Sequence, residues 1–228
     1  MGKKMGKVVV FGNQKGGCGK TTLAITLACG LKNQGLSVLV VDADPQGSVM
    51  SWAIRVDENS EIALPDAEKH DNVLIDQALK RSRDRYDVTI VDLGSNLGFG
   101  GDTIQKMLLK SLREADYVFI PVGPSPIDVD ASDAFVDVLK DIWERRGEDI
   151  PAASFVINGV RKGTTLGREI AEVIKDVYSM PVLDTKIDSR EAYKTAFITG
   201  SSVFNSKQID VIENATAFVN EAKRVIGL

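Results

Sequence analysis

Short apolar runs alternate with stretches of helical periodicity along the whole chain. Residues 7–12 form the first strand-like run, and a glycine-rich loop follows it. Residues 21–34 carry Leu23, Leu27 and Leu31 on one helical stripe, with Gly35 where the helix should stop. Residues 37–42 read as a second buried strand. Residues 47–56 and 72–83 read as helices joined by a polar, proline-containing stretch, 57–71, expected to be an exposed loop. Strands are expected at 86–92 and 117–122. The stripe Phe135, Val138, Leu139, Ile142 and Trp143 predicts a helix over 128–146, ended by Gly147. A fifth strand over 153–158, a helix over 166–178 and a sixth strand over 181–185 follow. Asp188 and Glu191 stand in capping-box spacing at the start of a helix over 188–199, and residues 207–226 close the chain as a long helix. Strands alternating with helices in this way imply β-α-β units. The expected fold is α/β, a single doubly wound, mostly parallel sheet with helices on both faces. No internal repeat, low-complexity tract or linker interrupts the pattern, so residues 1–228 are read as one domain.

Composition narrows the setting. Of 228 residues, 43% are hydrophobic and 26% charged, ordinary values for a soluble domain. The longest apolar stretches, such as 8–11 and 38–41, fall far short of the roughly 20 residues that span a bilayer. Lysines at positions 3, 4 and 7 precede a run too short for a signal-peptide core. Cys18 and Cys29 cannot supply a disulfide framework or a CxxC site. A cytoplasmic protein is expected. With a net charge of −4, any contact with DNA requires a local basic patch.

The candidate chemistry begins at Lys15-Gly16-Gly17-Cys18-Gly19-Lys20-Thr21-Thr22. A buried strand runs into three glycines, which let backbone N–H groups turn toward phosphate oxygens. A helix starts near Lys20, and its N-terminus adds a partial positive charge at the same point. Lys20 is expected on the β- and γ-phosphates of ATP and Thr21 on Mg²⁺. The usual G-x-x-x-x-G-K-[ST] pattern fails at its first glycine, where Gln14 stands, and Lys15 follows as an extra lysine. Two acidic strand ends, Asp42-Ala43-Asp44-Pro45-Gln46-Gly47 and Asp92, belong at the carboxyl edge of such a sheet. A carboxylate there can hold a metal-bound water or orient the attacking one.

KGGCGKTT (15–22), DADPQGS (42–48) and YDVTIVD (86–92) resemble the ParA/MinD family of deviant Walker ATPases. ADYVFIPVGPSPIDVD (115–130) and IDSREAYKTAFITGSSVF (187–204) extend the resemblance over essentially the whole chain, and it is most similar to short plasmid-partition ParA proteins of the ParF-like group. The resemblance implies an ATP-sandwich homodimer. In it Lys15 reaches across to the partner's nucleotide and Asp44 positions the attacking water. Thr21 and Asp92 hold Mg²⁺, with Asp42 assisting, and residues 121–128 match a region associated with dimer contacts. Asn158 falls where some relatives contact adenine. The sequence departs from many relatives after Asp92, where Leu93-Gly94-Ser95-Asn96 replaces a Pro-Pro pair. Cys18, at the variable loop position, is read as a plain small residue.

The same resemblance implies nonspecific DNA binding and a ParB-like or cargo-adaptor protein that stimulates hydrolysis. Arg190 and Lys194 lie one helical turn apart, with Lys186, Arg161, Lys162, Arg168 and Lys207 as candidate neighbours. Residues 161–207 hold eight Lys/Arg against six Asp/Glu, a local charge of +2. Two alternatives remain at this stage: a MinD-like membrane-associated ATPase and a small-molecule ligase of the dethiobiotin-synthetase type. The membrane reading ranks lower, because Phe218, Val219, Ala222, Val225 and Ile226 are equally well explained by packing on the domain.

Overall fold

Strand residues here are apolar on both sides, and that dictates a sheet covered on two faces. In the computed structural model, which describes residues 5–56, 64–95 and 101–228, Val8 and Val10 of β1 (Lys7–Phe11) pack into one core and Val9 and Phe11 into another. The first core is completed by α3 (Ile75–Ser82), α4 (Gly101–Glu114), α6 (Asp133–Arg146) and α7 (Leu166–Tyr178). The second is completed by α1 (Lys20–Asn33) and α9 (Ile209–Ile226).

Seven strands form one sheet in the order β3-β2-β4-β1-β5-β6-β7, all parallel. The others are β2 (Val38–Ala43), β3 (Asp66–Lys69), β4 (Val88–Leu93), β5 (Tyr117–Val122), β6 (Ala152–Val160) and β7 (Ile187–Asp188). The chain leaves β1 toward β2 on one side and leaves β4 toward β5 on the other. The carboxyl ends of β1 and β4 therefore flank a topological switch point, where open α/β sheets bind ligands. The register sets Phe11 beside Asp92 and Asp42 beside Asp92, so these strand ends finish level.

Several elements differ from the sequence expectation. The stretch 57–71 contains β3, whose residues Asp-Ala-Glu-Lys carry no apolar run because it is an edge strand; residues 57–63 of that stretch lie outside the described residues. Helix α4 occupies a segment to which no element was assigned, and its Met107, Leu108 and Leu112 are buried. The expected helix over 128–146 is two helices, α5 (Pro126–Asp130) and α6, divided at Ala131-Ser132. Pro126 and the Ser125 cap start α5 before the expected boundary. The expected sixth strand over 181–185 is reduced to a single bridge between Phe155 and Val182, and the pairing moves to β7. Asp188 belongs to β7 and not to a capping box: helix α8 (Glu191–Ile198) begins after Arg190, with no side-chain cap.

The C-terminal helix is docked. Val211, Ala215, Phe218, Val219, Ala222 and Ile226 are buried in the second core. Gly30 permits the approach of α9 to α1, because a Cβ there would sit 2.4 Å from a Val219 methyl. Among the described residues no helix is long and apolar enough to cross a membrane. Between α1 and α8, the small helix α2 (Ser48–Ala53) inserts Trp52 against Ile25 and Cys29, and its indole N–H donates to the Ser201 carbonyl at 2.9 Å.

Candidate nucleotide site

The loop between β1 and α1 takes its path from glycine. Gly17 has φ +75° and Gly19 φ +102°, values that L side chains rarely adopt. At Gly19 a Cβ would also lie 2.1 Å from Asn158 Nδ2, so backbone and neighbour both demand glycine. Gly16 and Gly17 are exposed at the mouth, while Cys18 and Lys20 are buried beneath them. Lys20 opens α1, and its ammonium donates to the Lys15 carbonyl at 3.0 Å. A charged, tethered amine, a helix N-terminus and exposed glycine backbone thus converge on one point, a phosphate-binding arrangement.

Thr21 and Asp92 form the second half of the site. The Thr21 hydroxyl donates to Asp92 Oδ2 at 2.6 Å, joining the first turn of α1 to the tip of β4. Asp92 is 0% exposed, and its other oxygen, Oδ1, has no hydrogen-bond partner although it is buried. Burial pushes its pKa up to about 7, against the Thr21 hydrogen bond that lowers it. A buried, half-satisfied carboxylate beside a hydroxyl and a phosphate cradle fits a hard divalent cation. No cluster of three or more His, Cys, Asp or Glu side chains able to hold a metal is present among the described residues. A cation here would therefore complete its coordination with phosphate oxygens and water, as Mg²⁺ commonly does.

Asp42 is differently employed. Its Oδ2 accepts the Met50 amide at 2.9 Å and its Oδ1 the Asp44 amide at 3.2 Å, so both oxygens brace the β2–α2 turn. Burial raises its pKa, with those amides acting in the opposite sense. Asp42 thus holds the backbone of Asp44 in place beside Asp92. Asp44 is half-buried, and its Oδ1 accepts the Gln46 amide at 2.9 Å. A Cβ on Gly94 would come within 3.0 Å of that oxygen, so the carboxylate lies over the exit of β4, two residues beyond Asp92. Asn158 donates to the Cys18 carbonyl at 2.9 Å, which makes it a brace of the phosphate loop in this structure. The Cys18 thiol is pushed up by burial despite the neighbouring Lys20, in keeping with a plain packing residue.

Two groups here were not singled out in the sequence: Asn13, and Asp128 at the end of the segment 121–128 associated with dimer contacts. Asn13 is fully buried, donates to the Pro121 carbonyl at 2.8 Å and to Ser132 Oγ at 2.9 Å, and accepts the Lys15 amide at 3.2 Å. Asp128 forms an ion pair with Lys15 and accepts the Ser125 hydroxyl at 2.8 Å. Burial opposes its charge, but Lys15 and Ser125 hold its carboxyl below the usual range. Ser95 also approaches the loop, 3.6 Å from where a Cβ on Gly16 would stand; Asn96 lies outside the described residues.

Of the basic residues singled out in the sequence, Arg161, Lys162 and Arg168 follow the carboxyl end of β6 and Arg190 and Lys194 follow β7, whereas Lys186 precedes β7 and Lys207 precedes α9. Arg190 and Lys162 meet on one carboxylate oxygen of Asp210, at 2.8 and 3.4 Å. The Lys186 side chain runs beside Gly167, one residue before Arg168. Arg161 and Arg168 are exposed, and so is Lys194, which pairs with Glu191 at 3.4 Å. Two of them are engaged by the fold. Lys186 is partly buried and its ammonium donates to the Leu183 and Asp184 carbonyls at 3.3 and 2.9 Å. Arg190 is 24% exposed and bonded to both Asp188 and Asp210, so it does not present a free face with Lys194 as the spacing predicts.

Asp92→Asn tests the second half of the site. In nucleotide-free protein the folded pKa lies above the unfolded value of 3.8. The native state therefore keeps a proton that the unfolded chain has lost, and this contribution to stability declines as pH rises from about 4 to 7. The asparagine variant should be more stable than wild type at about pH 8, by about 1–3 kcal/mol in chemical unfolding. It should also lose Mg²⁺-dependent stabilisation by nucleotide. A variant less stable than wild type, or one with that stabilisation intact, would contradict the assignment.

Comparison with known proteins agrees with this geometry. Residues 9–203 match the CobQ/CobB/MinD/ParA nucleotide binding domain. The Maintenance of carboxysome distribution protein A of Halothiobacillus neapolitanus is 32% identical over 192 residues, 84% of each chain. Protein ParA of Rhizobium radiobacter is 28% identical over 221 residues, covering 92% of this chain and 93% of its own. Among solved structures, the ATP complex of a Cyanothece McdA variant superimposes with a TM-score of 0.74 at 18% identity, covering 99% of this chain and 98% of that one. From the loop at 15–22 to the tip of β4, the chain belongs to the CobQ/CobB/MinD/ParA family of nucleotide-binding domains.

Proposed function

We propose that this protein is an ATP-dependent partition or positioning ATPase. ATP binding drives two copies together, the dimer binds DNA without sequence preference, and hydrolysis of ATP to ADP and phosphate, stimulated by a ParB-like or cargo-bound adaptor, releases it. The observation that carries this reading is a second lysine, Lys15, half-buried on the rim of a phosphate cradle already served by Lys20. One lysine suffices to hold a nucleotide; a second, on the exposed rim, suits a composite site shared by two facing copies. The relatives called ParA and Maintenance of carboxysome distribution protein A support the same class of task.

The chain's own groups divide the work. Loop amides and Lys20 bind the phosphates, Thr21 and Asp92 hold Mg²⁺, and Asp44 orients the attacking water. Bound Mg²⁺ would neutralise charge on the β- and γ-phosphate oxygens. Lys15 adds positive charge from across the interface, where the transferring phosphoryl group needs it. Asn13 fixes the loop backbone from which Lys15 projects.

DNA contact is assigned to Arg161, Lys162, Arg168, Lys186, Lys194 and Lys207, with Arg190 released from Asp210 only if DNA displaces it. Arg161, Lys162 and Arg168 follow the carboxyl end of β6, so dimerisation through that edge would bring two copies of this weak surface together and strengthen it. In gel shifts with unrelated duplex DNA, wild type should bind with ATP and not with ADP. The double variant Arg161→Ala/Arg168→Ala should bind more weakly, and its salt dependence should flatten by about 0.9 in log–log slope for each phosphate it no longer neutralises. Binding that ignores nucleotide, or no binding, would remove the DNA step. Co-sedimentation with vesicles in ATP would then favour the membrane alternative, although the apolar face of α9 is already buried.

A further inference from the structure

We propose that Asp128 is an intramolecular latch that holds Lys15 on its own protomer and must let go before two copies can close on nucleotide. The inference rests on the sandwich-dimer reading and concerns the regulation of that same site.

The latch is built, and not a chance surface pair. Lys15 Nζ pairs with Asp128 Oδ1, with side chains 34% and 18% exposed. The other carboxylate oxygen accepts Ser125 Oγ at 2.8 Å. It also lies 2.2 Å from where a Cβ on Gly123 would stand, so a side chain at that position would evict the carboxylate. The Lys15 backbone is held from the same direction. Its amide donates to Asn13, which is fully buried and bonded to Pro121 and Ser132. Both ends of Lys15 are thus fastened to residues 121–132 of its own chain.

A lysine bonded to Asp128 cannot also reach a nucleotide on another protomer. The two arrangements compete, and the γ-phosphate end of ATP must offer more than the carboxylate does for the exchange to occur. A dimer of facing copies is isologous, so two latches open per association. If each half-exposed pair is worth a factor of about 3–5, the dimerisation constant is lowered by about 10–25-fold. The latch therefore sets how much protein and ATP are required before the dimer forms.

Sedimentation of the full chain without nucleotide, with ADP and with ATP tests this for wild type, Asp128→Asn and Ser125→Ala. Asp128→Asn keeps the side-chain shape and removes the charge, so it should dimerise in ATP at about 10–25-fold lower protein concentration than wild type. Ser125→Ala, which loosens the carboxylate without touching either charge, should shift the same way by less and decides the matter if Asp128→Asn fails to fold. A second readout needs no dimer: acylation of the Lys15 amine, followed by peptide mass spectrometry without nucleotide, should be faster in Asp128→Asn. If wild type dimerises with ATP while Asp128→Asn needs equal or higher concentration, the latch is overturned and the sandwich stands. Unchanged Lys15 acylation overturns it too. If wild type does not dimerise with ATP, the sandwich reading falls and takes the latch with it.

Discussion

Lys20→Ala is expected to lower ATP affinity by a factor of about 100 or more, because the lysine is both buried and aimed. The residue is only 7% exposed, sits at the first position of α1 and has its ammonium pinned to the Lys15 carbonyl at 3.0 Å. Two charge-assisted hydrogen bonds to phosphate oxygens, each worth about 1.5–3 kcal/mol, give about 3–6 kcal/mol in total. That corresponds to a loss of about 10²–10⁴ in affinity. The fold should survive, since the neighbouring Leu23 and Leu27 keep α1 anchored in the second core. Calorimetric titration with ATP and Mg²⁺, beside a circular dichroism spectrum, reads both halves of the expectation. Binding within about fivefold of wild type would mean that the cradle works without Lys20, and the whole assignment of the loop would have to change.

The phosphate loop was legible because its chemistry is compressed into eight consecutive residues. Backbone turns, lysine and helix start all leave marks at fixed spacing, and Gly17 and Gly19 occupy the positive φ values that the spacing implies. The central strands were legible because burial on both faces leaves continuous apolar runs, as in β2 and β4. Legibility fell wherever the decisive partner is distant in sequence. Asn13 matters through Pro121 and Ser132, more than a hundred residues away, and a lone asparagine after a strand carries no sign of that. Asp128 closes the segment 121–128 that the resemblance associates with dimer contacts, but its pairing with Lys15 depends on β5 lying next to β1. Edge elements failed for a different reason. Strand β3 has polar residues on an outer edge, and β7 is two residues long, so neither offers a period to read. The basic residues show the opposite limit. The spacing of Arg190 and Lys194 was visible, yet Arg190 precedes α8, and the carboxylates that occupy it come from β7 and α9 and belong to the fold, not to the motif.

Asp44→Ala separates binding from turnover at the same edge of the sheet. Asp44 follows β2, and its carboxylate rests over Gly94 at the exit of β4, close to Asp92 but not bonded to Thr21. On the proposed reading, Asp44 would orient the water that attacks the γ-phosphate and would not hold the nucleotide. Removing it should lower the hydrolysis rate by about 10²–10⁴, the usual contribution of a positioned general base. Because Lys20, Thr21 and Asp92 are untouched, ATP affinity should change by less than about threefold. In the proposed cycle association follows ATP binding and release follows hydrolysis, so the variant should also accumulate as the ATP-bound dimer. The Gln46 amide would lose its acceptor, but it lies in an exposed turn where water replaces the carboxylate at little cost. Single-turnover hydrolysis, nucleotide titration and sedimentation in ATP together decide the point. Full turnover would remove Asp44 from the reaction, whereas a parallel loss of ATP affinity would make it part of the cradle instead.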